Sequence, residues 1–230
     1  MVGAEFSMTD RRLNQKLTLN MLGLAFMAAS DQFTMMSMAQ VLQIPMARPI
    51  FEREIASRVY SSTALYFSAV IVGLLGLILY PCFTALISYW YLGFENPSWT
   101  GLLEWLIPLA MPAMVGSLWG FNFGTFFTNS TNCLQWNVCF LMLFSLAAGH
   151  TANLGAANLF TRVIASISPV RYGTELLMKK ILKGKAGEPY LLKMLGFEKS
   201  ETECYLALLA TGLLLFFVGW FNIVRKNRHD

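Results

Sequence analysis

Charge is what this sequence has least of. Asp, Glu, Lys and Arg make up 13% of its 230 residues, against roughly 25% in soluble domains. Hydrophobic residues make up 56%, and the mean hydropathy is +0.52. Cysteine is scarce too: Cys82, Cys133, Cys139 and Cys204 show no C-x-x-C spacing, which excludes a disulfide scaffold and the usual zinc sites. The first three lie in apolar stretches and are expected to be buried packing residues. The first 16 residues lack the apolar core of a signal peptide, and Glu5 and Asp10 argue against a mitochondrial presequence. There is no internal repeat, no paired-carboxylate or Ser/His/Asp set, no metal-ligand cluster and no basic patch for nucleic acid. No G-x-x-x-x-G-K-[ST] phosphate loop occurs, so nothing in this chain can cradle ATP phosphates. A soluble enzyme, a disordered chain and a collagen are excluded.

What is there is apolar sequence in long blocks. About 20 largely apolar residues cross a bilayer as a helix, and five blocks qualify. The first runs from Leu17 to Ile44, is interrupted in mid-span by Asp31 and Gln32, and is expected to stop before Pro45. A short amphipathic surface helix is expected next, over 48–58. The second span covers Thr63 to Leu92, with Pro81 as its kink. A turn over 93–101 leads to the third, Leu102 to Phe127, whose Pro108 and Pro112 a membrane bundle tolerates. Gly116, Gly120 and Gly124 repeat every four residues there, a small-residue strip for close helix packing. The fourth span covers Cys133 to Leu154 and the last Glu203 to Val224. The expectation is an all-α, multi-pass transmembrane bundle. Residues 1–16 form a polar N-terminal segment, 17–224 the membrane domain and 225–230 a basic tail.

Five spans put the two ends on opposite sides. The side of Met1 carries Arg11, Arg12, Lys16 and eight basic residues of the 162–200 loop; the other side carries Arg48, Arg53, Arg58, Arg225, Lys226 and Arg228. The tally is eleven against six. By the positive-inside rule alone, the Met1 side is cytoplasmic.

Several motifs then fall in order. Arg48-Pro-Ile-Phe-Glu-Arg-Glu54 is followed by Tyr60-Ser-Ser and Tyr66-Phe67. Further on come Tyr89-Trp-Tyr-Leu-Gly-Phe-Glu-Asn-Pro97, Ile167-Ser-Pro-Val-Arg-Tyr-Gly-Thr-Glu175, Lys183-Gly184 and Tyr190-Leu191. Over about residues 13–226 the chain resembles the transmembrane domain of G-type ABC exporters, the white-pigment and multidrug-resistance group. Their patterns are R-P-x-F-x-R-E, Y-x-x-x-G-L-x-P and I-S-P-x-R-Y-x-x-E. The family has six helices, and this chain begins just before the second, without the first helix and the nucleotide-binding domain. It therefore looks cut from something longer, with Met8 a second candidate start. The resemblance also implies an orientation opposite to the charge tally: the Phe51 segment is cytoplasmic, and the loop before the last helix is outside, folded back into the membrane as short helices. Loss of the first helix is the other way to resolve that conflict.

The resemblance suggests roles for individual residues. Asp31, a carboxylate inside a span, is expected to face a cavity or a partner, since such a charge costs about 2.5–3.5 kcal/mol on insertion scales. Gln32, Met35, Met36 and Met142 join it as cavity wall; alternatively Asp31 pairs locally and the methionines are filler. His150 stands where the family's G-x-x-x-N-L carries bulky plug residues, and either lines the cavity or is an interfacial hydrogen-bonded histidine. Phe51, Glu52, Arg53, Glu54 and Arg58 form a coupling helix toward a nucleotide-binding domain, or a solvated interfacial helix. Glu104 and Trp105 read as an interfacial anchor. Asn129-Ser-Thr131 is a glycosylation sequon, unused if it faces the cytoplasm. Cys204 is expected as a free thiol at the membrane entry.

The expected function is the substrate-translocating part of an exporter for lipid, sterol or amphipathic xenobiotic. It needs no cofactor of its own, ATP and Mg²⁺ belonging to a partner nucleotide-binding domain. It is expected to sit among membrane lipids as a homo- or heterodimer with another transmembrane half. The rival expectation is a degenerate transporter domain kept as a structural subunit of a larger membrane complex. A channel is weaker, for lack of a charge ring or filter motif.

Overall fold

A computed structural model describes residues 2–92, 98–149, 158–183, 192, 195–197 and 199–226. Among these it is all-helical. The elements are α1 (Val2–Ala56), α2 (Ser62–Leu92), α3 (Trp99–Phe126), α4 (Ser130–Leu146), α5 (Leu159–Ile167), α6 (Pro169–Leu182) and α7 (Glu201–Lys226). Helices α3 and α7 are long and apolar enough to cross a membrane. Large side chains such as Leu79, Phe83, Leu213 and Leu214 stay exposed on the outside, as expected of a surface solvated by lipid.

The bundle is organised around α3, which packs on α1, α2, α6 and α7, most extensively on α1. Its glycines explain why. A Cβ at Gly116 would overlap the Phe33 carbonyl of α1, one at Gly120 would overlap that of Ser37, and one at Gly124 would lie 2.7 Å from Ile44 Cβ. The two backbones therefore meet almost directly. Around the seam, Ser37 Oγ donates to Asn137 Oδ1 of α4 at 2.8 Å, and Trp119 Nε1 donates to the same oxygen at 3.2 Å. Phe33, Trp119 and Phe144 pack as an aromatic knot, with Phe33–Phe144 edge-on at 5.9 Å and Trp119–Phe144 at 5.2 Å. Tyr66 ties α2 to α7 through the Phe216 carbonyl at 2.6 Å.

Several expectations need correction. The first helix does not stop before Pro45: α1 continues through Pro45 and Pro49 to Ala56, and the 48–58 segment is its end, not a separate helix. Nor does the backbone mark a boundary at residue 16, since α1 already begins at Val2. Trp105 is no interfacial anchor: it is buried, and its Nε1 donates to Ser88 Oγ of α2 at 2.8 Å. Cys82 and Cys139 are exposed, while Cys133 and Cys204 are buried. The short helices expected before the last span are α5 and α6.

Candidate functional site

Two regions of α1 carry the expected chemistry, and its length separates them. At about 1.5 Å per residue, its 55 residues extend about 80 Å, far beyond a hydrocarbon core of about 30 Å.

The C-terminal end of α1 is anchored, then left open. Arg48 Nε pairs with Glu52 Oε1 one turn on at 2.7 Å, and Arg48 Nη1 donates to the Phe127 carbonyl beyond the end of α3 at 3.3 Å. Phe51 and Ile55 roof an apolar cleft walled by Leu65, Phe121 and Ile223. Val59 N–H returns to the Glu54 carbonyl at 3.1 Å and Arg58 N–H to that of Ile55 at 2.9 Å. Those two bonds make a Schellman cap, with Arg58 left-handed at φ 57°. Glu54 accepts from the Tyr60 hydroxyl; burial first, then that bond and the carboxylate's charge, push the phenol up to about 12. Glu52, Arg53 and Arg58 are exposed. Arg53 and Arg58 have no ion pair among the described residues, so their charges are available to a partner.

The Arg58 cap leads to a prediction. A side chain in the left-handed region costs about 1 kcal/mol, and glycine avoids the cost. Arg58→Gly is expected to raise thermal stability slightly while removing one exposed cation. Unchanged or lower melting would show that the Arg58 side chain itself stabilises the turn.

In mid-helix the expected cavity wall does not hold together. Asp31 is half-buried and accepts from the Tyr80 hydroxyl of α2 at 2.5 Å. Gln32 is wholly buried, and neither its oxygen nor its nitrogen has a partner among the described residues. Met36 is buried, 3.8 Å from where a Cβ on Gly76 of α2 would sit. Only Met35 and Met142 are exposed, at 49% and 64%. Gln32 and Met36, one turn apart, thus belong to the inward face of α1, while Met35 and Met142 point out of the bundle. The structure corrects the grouping accordingly. His150 lies outside the described residues.

A further polar cluster is built on the Ile167–Glu175 motif. Ser168 N-caps α6 and donates to the Phe144 carbonyl at 3.1 Å. Glu175, fully buried, pairs with Lys179 Nζ at 2.9 Å and accepts from Lys199 N–H at 3.1 Å. Lys179 also donates to the Lys199 carbonyl, and Lys199 Nζ donates to the Tyr172 hydroxyl at 2.9 Å. The Glu-x-x-x-Lys spacing was the available signal. Exposed Glu104 makes only a long pair with Lys180, at 3.7 Å.

An all-helical bundle with helices apolar enough to cross a membrane and an exposed, charged stretch at the end of α1 defines the class, a helical membrane protein. The sequence pattern of the family described as ABC-2 type transporter matches residues 1–182, and the chain belongs to that family. No curated protein matches the chain. Domains of this family form the transport part of an ABC transporter, work with nucleotide-binding domains and often dimerise.

Proposed function

We propose that this chain is the translocating part of a G-type ABC exporter. In this reading it moves a lipid, sterol or amphipathic xenobiotic by alternating access. It crosses the membrane five times through α1, α2, α3, α4 and α7, and pairs with a second transmembrane half. ATP and Mg²⁺ are held by a partner nucleotide-binding domain. The observation that carries the proposal is the end of α1. A single helix joins the membrane core to exposed Glu52 and Arg53, and Arg48 bolts that end to the end of α3. A push on the charged tip is thereby delivered to the α1–α3 pair. Asp31, Met35 and Met142 remain the proposed substrate-facing residues, at the outward side of α1 and α4.

The burial of α6 supports the exporter orientation over the charge tally. Lys179 is neutralised by Glu175, and Lys180 lies 3.5 Å from Glu201. These cations belong to a folded cluster, whereas the positive-inside rule weighs free charges in short loops.

The test is Glu52→Ala/Arg53→Ala in the complex assembled with its nucleotide-binding partner. The protein is expected to reach the membrane and assemble, with substrate-stimulated ATPase falling at least tenfold. Normal stimulation would remove the coupling role. Failure to recover any ATP-binding partner, with other membrane subunits in fixed ratio instead, would favour the structural-subunit reading.

A further inference from the structure

Helix α2 begins beside the cleft under Phe51, which Leu65 lines, and ends at the opposite end of the bundle. There its last turn and the first turn of α3 enclose a pocket of about 120 Å³. The described walls are Tyr89, Trp90, Ser98, Trp99 and Leu102. Tyr89 opens the Tyr89–Pro97 motif, and its ring is fixed. The hydroxyl accepts from Ser98 N–H at 3.0 Å and donates to the Ser98 carbonyl at 3.2 Å. Gly101 makes room for it, since a Cβ there would lie 2.6 Å from that hydroxyl. Trp90 stands edge-on to Tyr89, with ring centroids 6.3 Å apart and planes at 83°. Tyr89 is buried, whereas Trp90 and Trp99 are 63% and 79% exposed. The pocket thus has a fixed aromatic floor and two open aromatic walls.

We infer that this pocket is an aromatic cage for a quaternary ammonium group. A cation is attracted to the face of an aromatic ring, most strongly to that of tryptophan, and cages of such rings recognise choline-like groups. The described walls include no charged side chain, so no lysine or arginine there repels a cation. Hydrogen bonding narrows the choice further. The Tyr89 hydroxyl is engaged as donor and acceptor, and Ser98 Oγ already meets the Thr100 N–H and hydroxyl. The two indole N–H groups only donate. An ammonium that carries N–H groups would therefore give up water without gaining a free side-chain acceptor among the described walls. A quaternary ammonium has no N–H to leave unpaired, and its methyl groups pack on the rings and on Leu102. A space of about 120 Å³ suits one trimethylammonium group and is far too small for a whole lipid. The group can be carried by a headgroup at the bilayer surface or by a free solute. Tryptophans near a span end also act as plain interfacial anchors, but that role needs neither the pinned tyrosine nor the glycine opposite it.

The experiment titrates choline onto the full chain in nanodiscs of phosphatidylethanolamine and phosphatidylglycerol, with binding read from the choline methyl signal by saturation-transfer NMR. Two probes are run beside it: ethanolamine, and the neutral choline isostere dimethylbutanol, in which carbon replaces the nitrogen. Choline is expected to bind at least tenfold tighter than either. Trp99→Leu should weaken choline binding at least tenfold, and Trp99→Phe should weaken it less. Trp99 is exposed in the first turn of α3, so neither change should lower the melting temperature. Gly101→Ala should also weaken binding, by displacing the Tyr89 hydroxyl. Adding phosphatidylcholine to the discs identifies the source. Loss of free choline binding would assign the cage to a lipid headgroup and undiminished binding to a solute, and both results uphold it. Equal affinity for choline and dimethylbutanol would overturn the proposal, as would choline binding unchanged in Trp99→Leu. Lower melting of that variant with choline binding unchanged would make Trp99 a membrane anchor instead. Binding is read without ATP or a partner half, so failure here leaves the exporter reading untouched, and failure of that reading leaves this one testable.

Discussion

Gly120→Ala is expected to destabilise the bundle by about 3 kcal/mol, and Gly120→Val to prevent its assembly. Ordinary overpacking in a core costs about 1–3 kcal/mol because side chains can shift into other rotamers. Here the obstacle is the backbone of α1 itself. A Cβ on Gly120 meets the carbonyl, carbonyl carbon and Cα of Ser37, and no rotamer relieves that overlap. The helices would have to separate along their shared seam. That would strain the Ser37–Asn137 hydrogen bond and the packing of Phe33 against Trp119. Gly76→Ala is the control. Its Cβ would meet only the flexible Met36 thioether at 3.8 Å, so helix propensity predicts no loss and a gain of up to about 1 kcal/mol. Melting of the detergent-solubilised protein should drop sharply for Gly120→Ala and hold for Gly76→Ala. Equal melting of the two would mean that α1 and α3 are not in backbone contact in the membrane.

The seam was legible in sequence as a four-residue glycine repeat, but its partner was not. The boundaries of α2 and α3 were also legible, because long apolar blocks ending at turns leave little freedom: Thr63 to Leu92 was expected against Ser62–Leu92 observed. α1 escaped the same logic at Pro45. Proline removes a backbone donor and crowds the preceding turn, so a stop is the reasonable local reading. Tertiary contacts overrule it. Ile44 packs at Gly124 just before the first proline, and Arg48 reaches Phe127 just before the second, so both sides of the break are held to α3.

Partner identity was the general blind spot at the site. That Asp31 faces a neighbour follows from the cost of a carboxylate in a span. That the neighbour is Tyr80, 49 residues away, follows only from the packing of α1 on α2. Periodicity along α1 could have separated Gln32 and Met36 from Met35. Chemistry groups the three together, whereas the structure divides them by face. Trp105 is a similar case: a tryptophan near a span end suggests the interface, but its Nε1 is held by Ser88 of α2 inside the bundle.

The outer cluster carries the second large expected effect. Glu175→Ala should cost about 3–5 kcal/mol, the range for removing one partner of a buried pair. Without the carboxylate, Lys179 keeps its charge in a site where it is 9% exposed, with only the Lys199 carbonyl left as an acceptor among the described residues. Lys199 N–H loses its acceptor as well, so the join between α6 and the start of α7 loosens. Lys179→Met alone should be comparably damaging, because it strands the Glu175 carboxylate. The double variant Glu175→Leu/Lys179→Met should be less damaging than the sum of the two, since neither charge is then left alone. Lys180→Ala sets the scale. Its partners Glu104 and Glu201 are 3.7 and 3.5 Å away and well exposed, and such pairs are worth at most about 1 kcal/mol. Melting at low and high salt separates the cases: the Lys180 effect should fade with salt, and the Glu175 effect should persist. The consequence reaches α1, because α6 rests on it. A Cβ at Gly173 of α6 would lie 3.1 Å from Ala29 Cβ and 2.5 Å from Pro112 Cγ of α3. Freeing α6 therefore uncovers the half of α1 that carries Asp31. An additive double variant would show that the two charges act separately, and that α6 is held by its apolar face alone.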